Sequence, residues 1–139
     1  MKTRSKCTGN GVRVYNNLFI GTTRSEIYAT RPANGLRVYR TANVSLVNFD
    51  VKISNNVFIG NQDPGVLIDD LAGYPIPDNE IYLTNNVFYG NQQGLPQIEI
   101  QNNSGSIGDP IVQNNLIKSS SNLIINNKGA WQDMATFEG

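Results

Sequence analysis

The chain has 139 residues, enough for one domain with a continuous core and too few for two ordinary ones. Eleven Lys+Arg balance eleven Asp+Glu, so no basic footprint invites nucleic acid and no acidic tract suggests a solvating tail. With no histidine and one cysteine, Cys7, the composition excludes internal disulfides, zinc sites, Ser-His-Asp triads and Cys-His dyads.

Residues 1–10 are polar and aperiodic and are expected to form a flexible arm. Their positive charge is followed by no apolar run, so no secretory signal peptide is read here, and the chain as given is expected in the cytoplasm. No stretch approaches the ~20 apolar residues that cross a bilayer, so no membrane partner is expected. From Gly11 a pattern begins. Val12 and Val14 alternate with Arg13 and Tyr15, the period of a strand with one buried face; Asn16-Asn17 turns the chain into Leu18-Phe19-Ile20, and Gly21 ends that strand. A polar connection over 22–34 leads to Gly35 and a short strand, Leu36 to Tyr39.

After a second connection the order recurs. Val51–Ser54 and Val57–Ile59 flank Asn55-Asn56, and Gly65–Asp69 makes a third strand. Ile81–Thr84, Val87–Tyr89 and Gln97–Gln101 repeat the series, and Ile111–Gln113, Leu116–Lys118 and Leu123–Asn126 repeat it again. The asparagine pairs begin at Asn16, Asn55, Asn85 and Asn114, spacings of 39, 30 and 29 residues, which fall in the range of solenoid repeats. Twenty asparagines could signal a low-complexity tract, but here they hold fixed offsets from Val, Ile and Phe, as an ordered array does. Three short strands per turn with no helical pattern between them predict an all-β parallel β-helix of three to four turns over 11–128.

The offsets carry physical expectations. Val51, Ile53, Ile81 and Leu83 face inward by strand alternation, and Phe19, Phe58, Phe88 and Ile117 stack as a column at the turn spacing. Asn17, Asn56, Asn86 and Asn115 are expected at the tight bend, adopting the left-handed conformation and bonding side chain to side chain as a structural ladder.

The copies NNVFIGN and NNVFYGN, with Gly65-Val66-Leu67-Ile68 following, resemble the pectate-lyase-like superfamily of right-handed parallel β-helices. More loosely, 11–117 is similar to the later turns of polysaccharide lyases of the chondroitinase B and alginate-lyase type. The resemblance implies a right-handed, single-stranded β-helix and a mostly secreted superfamily, with an acidic polysaccharide as the substrate of its lyases. This chain has fewer turns than those lyases and lacks their Lys/Arg-bearing catalytic motif.

In enzymes of that superfamily the site lies on the outer face of the strand after the longer turn. Here alternation puts Arg37, Tyr39, Leu67, Asp69, Glu99, Gln101, Ile124 and Asn126 outward. A uronate lyase neutralises the substrate carboxylate and removes the neighbouring proton. Arg37 and Tyr39 are the catalytic candidates; Arg37, Tyr39, Asp69, Glu99 and Gln101 are candidate substrate contacts; Asp69, Asp70 and Glu99 have the oxygen ligands for Ca²⁺, and no other cofactor is expected. The plain alternative is an ordinary mixed-charge solvated face. Tyr28, Tyr39, Tyr74, Tyr82 and Tyr89 are platforms for pyranose rings or simply strand-surface residues.

The tail, 129–139, places Ala130, Trp131, Met134 and Phe137 at three-residue spacing, suiting a short amphipathic cap over the last turn. The first turn has no such cover, which predicts self-association there. The expected function is therefore a non-catalytic carbohydrate-binding or self-associating β-helix. The alternatives are a small Ca²⁺-dependent polysaccharide lyase and a structural, spike-like oligomer.

Overall fold

The computed structural model describes residues 11–21, 33–39, 50–69, 80–91, 97–101, 110–118, 125–127 and 130–132. Strands β1 (Val12–Tyr15), β4 (Val51–Ser54), β7 (Ile81–Thr84) and β10 (Ile111–Gln113) form one parallel sheet in that order. β2 (Leu18–Ile20), β5 (Val57–Ile59), β8 (Val87–Tyr89) and β11 (Leu116–Lys118) form a second. β3 (Leu36–Tyr39), β6 (Val66–Asp69), β9 (Ile98–Gln101) and β12 (Ile125–Asn127) form a third, to which β13 (Ala130–Gln132) adds antiparallel. The chain is thus a right-handed parallel β-helix with three short strands per turn. Part of the expected cap is this last strand, Ala130–Gln132; residues 133–139 lie outside the described residues, as do 1–10.

Register follows the repeat. Val12 pairs with Val51 and Val51 with Ile81, Phe19 pairs with Phe58 and Phe58 with Phe88, so these core residues meet apolar residues one turn away. Alternation sends one face of each strand into a single core, where Ile53, Phe58, Ile68, Leu83, Phe88, Ile98 and Ile100 are wholly buried. The phenylalanine rings stack nearly parallel, with centroids 4.7 Å apart between Phe19 and Phe58 and 4.9 Å between Phe58 and Phe88. Ring spacing equals turn spacing because the strand hydrogen bonds dictate both. In the first turn Val14, Phe19, Leu36 and Val38 are all at most 9% exposed, and Val12 packs against them partly buried.

Glycine opens the third strand for a steric reason. A Cβ on Gly65 would stand 2.8 Å from Phe88 Cδ1 and 3.0 Å from Phe58 Cβ, and one on Gly35 would meet Phe58 Cδ1 at 2.8 Å. The third turn carries Gln97 at this position, below Ile117 instead of a phenylalanine ring.

The two asparagines of each pair divide the labour that sequence reasoning assigned to one. The left-handed residue is the first, with φ of 56° at Asn16 and Asn55, 57° at Asn85 and 55° at Asn114. The ladder belongs to the second. Asn17 and Asn56 each donate from the backbone N–H and from Nδ2 to Oδ1 of the next rung, at 2.9 and 3.1 Å, then 3.0 and 3.1 Å. Asn86 does the same to Asn115 at 2.9 and 3.0 Å. The correction has a simple origin: the left-handed corner throws the first side chain outward, leaving the second to turn into the coil.

Candidate functional site

The third sheet sets the outward residues of the expected site in two columns. Arg37, Leu67, Glu99 and Asn126 lie in one register line, and Tyr39, Asp69 and Gln101 in the next. Asp69 and Glu99 are therefore diagonal neighbours on adjacent strands. The contacts formed are internal to the stripe. Arg37 Nε donates to Asp69 Oδ2 at 2.5 Å, and Gln101 Nε2 donates to Glu99 Oε1 at 3.0 Å.

The stripe is also less open than a solvated face. On β6 both faces are buried: Leu67 is 2% exposed and Asp69 1%, while the Arg37 side chain keeps 28%. A fully buried carboxylate is tolerable because a guanidinium stands against it. Asp70 and the tyrosines Tyr28 and Tyr74 lie outside the described residues, as does the Tyr39 side chain. Among the described residues no three carboxylate or cysteine side chains converge as a metal site would require.

Sequence reasoning missed a second ladder. Asn61 donates from its backbone N–H (3.1 Å) and Nδ2 (2.7 Å) to Asn91 Oδ1. Asn91 donates in the same way to Gln97 Oε1, at 3.1 and 2.8 Å, so Gln97 takes the next place in the line as a surrogate asparagine. The signal was present in GNQ after both β5 and β8, but two copies and a glutamine six residues on do not look like a series.

It also missed the outer face of the second sheet. The strands β2, β5 and β8 are apolar on both sides, and β11 is so except for Lys118; their outward residues form one column of Leu18, Val57, Val87 and Leu116 and another of Ile20, Ile59, Tyr89 and Lys118. Leu18 is 61% exposed, Ile20 59%, Tyr89 50% and Leu116 66%. Beside this face stand Asn16, Asn55, Asn85 and Asn114, all exposed and stacked turn on turn through backbone hydrogen bonds such as Asn55 N–H to Thr84 O. Lys118 Nζ lies 5.7 Å from the Tyr89 ring centroid, the only charge in either column. Among the described residues no helix is long and apolar enough to cross a membrane. No protein-family model, curated protein or solved structure matches the chain.

Proposed function

We infer that the chain is a non-catalytic β-helix of the pectate-lyase-like superfamily that works as a carbohydrate-binding module. One observation supports this above the others: where such enzymes carry their chemistry, the charged groups here are turned on each other, and Asp69 is buried against Arg37. A carboxylate held this way is a poor calcium ligand, and the guanidinium holding it is occupied when a uronate arrives. The test pairs a glycan array with the lyase assay. Retention on a polysaccharide is expected, with no rise in ultraviolet absorbance from alginate, pectate or chondroitin in calcium. Formation of the unsaturated product would overturn the reading.

The second reading is a small Ca²⁺-dependent lyase, favoured by the gathering of Arg37, Asp69, Glu99 and Gln101 in one patch. It would use Asp69, Asp70 and Glu99 for the ion and Arg37 or Tyr39 at the substrate. It alone requires that calcium raise the melting temperature and that chelation lower it. Self-association through the first turn, or a spike-like oligomer, requires a solution mass above that of the monomer.

A further inference from the structure

We propose that the outer face of the second sheet, together with the asparagine row beside it, binds a neutral polysaccharide lying extended along the coil axis. The inference rests on the carbohydrate-binding reading and gives it a place and a ligand class.

Among the described residues two rows of left-handed corners flank the second strand, and they are filled differently. After the second strand the corner is Gly21, Gly60 and Gly90, with φ of 59°, 60° and 60°. Before it, at nearly the same φ, the corner is Asn16, Asn55, Asn85 and Asn114. Glycine meets the backbone demand at lower cost, and both rows are exposed, so backbone geometry alone does not call for the amide. Nor does internal bonding: these four side chains make no hydrogen bond among the described residues, in contrast to the ladder asparagines next to them. The result is a line of free donors and acceptors at the turn spacing, along the border of an apolar column.

That pairing matches the two sides of a sugar chain, hydroxyls at the edge and C–H groups on the ring faces. An extended β-1,4-linked pyranose chain advances per residue by close to one strand spacing, so successive sugars can meet successive turns. A peptide, at ~3.3 Å per residue, falls out of step. Apart from Lys118 the two columns and the asparagine row are uncharged, which favours a neutral chain over a uronate. Leu18 and Leu116, the most exposed residues of the column, stand at its two ends, with the less exposed Val57 and Val87 between them.

The test is isothermal titration calorimetry with cellohexaose, mannohexaose, xylohexaose and chitohexaose, and with hexagalacturonate as the acidic counterpart. The variants are the double change Asn55→Gly with Asn85→Gly, which suits the left-handed backbone, and Tyr89→Ser on the exposed face; circular dichroism checks that both fold. Binding of a neutral hexaose is expected, weakened roughly tenfold or more in each variant. Preference for the acidic oligomer, or neutral binding that survives either variant, overturns the inference and leaves the carbohydrate-binding reading standing. No binding to any oligosaccharide overturns both.

Discussion

Two adjacent asparagines, alike in the sequence, sit in opposite circumstances. Asn56 is wholly buried, accepts from Asn17, donates to Asn86 and reaches back to the Val14 carbonyl at 2.8 Å. Asn56→Ala strands donors and acceptors on both sides, and about 3 kcal/mol of destabilisation is expected in urea unfolding. Asn55→Gly changes only an exposed corner, and unfolding within about 0.5 kcal/mol of the parent is expected from the same experiment. A reversed order of the two effects would refute the assignment of roles. Gly65 makes the complementary case. Gly65→Ala drives a methyl into Phe88 and Phe58, and a loss of roughly 1–3 kcal/mol should appear as a lower denaturation midpoint with unchanged slope.

At the scale of strands and ladders, the third turn replaces the small residue of earlier turns with Gln97, whose amide carries on the line from Asn61 through Asn91. Gln97→Ala leaves the Asn91 backbone N–H and Nδ2 without that acceptor in a fully buried site. About 2–3 kcal/mol is expected, with faster hydrogen exchange concentrated at Asn91. The strands themselves were legible from the sequence because period two and a repeat near 30 residues reinforce each other: β4, β5, β7, β8, β10 and β11 have the expected bounds. β6 and β9 start one residue later, since Gly65 and Gln97 are corners rather than strand members. The candidate stripe was legible as register and not as accessibility. Alternation says that Leu67 and Asp69 point away from the core; it does not say that this outer face is itself covered. The apolar outer face of the second sheet was readable in LFI, VFI, VFY and LIK, where no polar residue alternates until Lys118.

For the molecule as a whole, the ends of the coil are handled unequally. Beyond the fourth turn β13 runs antiparallel to β12, which interrupts the parallel stacking on one of the three sides. On another side stands Pro110, which the register aligns with Ile81 and Val51. The Val51 N–H points to the next turn, bonding Glu80 O at 2.8 Å, so the Pro110 nitrogen faces past the last described strand of its sheet. Proline there removes a donor from an edge that would otherwise recruit another strand. Pro110→Val should preserve the secondary structure and increase light scattering with protein concentration; scattering equal to the parent's would dismiss an edge-protecting role.

The amide ladder gives the coil an electrical direction. Strand peptides alternate, so their dipoles largely cancel across a sheet. In the line from Asn17 to Asn115 every Oδ1 looks toward the preceding turn and every backbone N–H of Asn17, Asn56 and Asn86 toward the following one, and these moments add. The axis therefore ends in an acceptor, Asn17 Oδ1, at the first turn and in a donor, the Asn115 N–H, at the fourth.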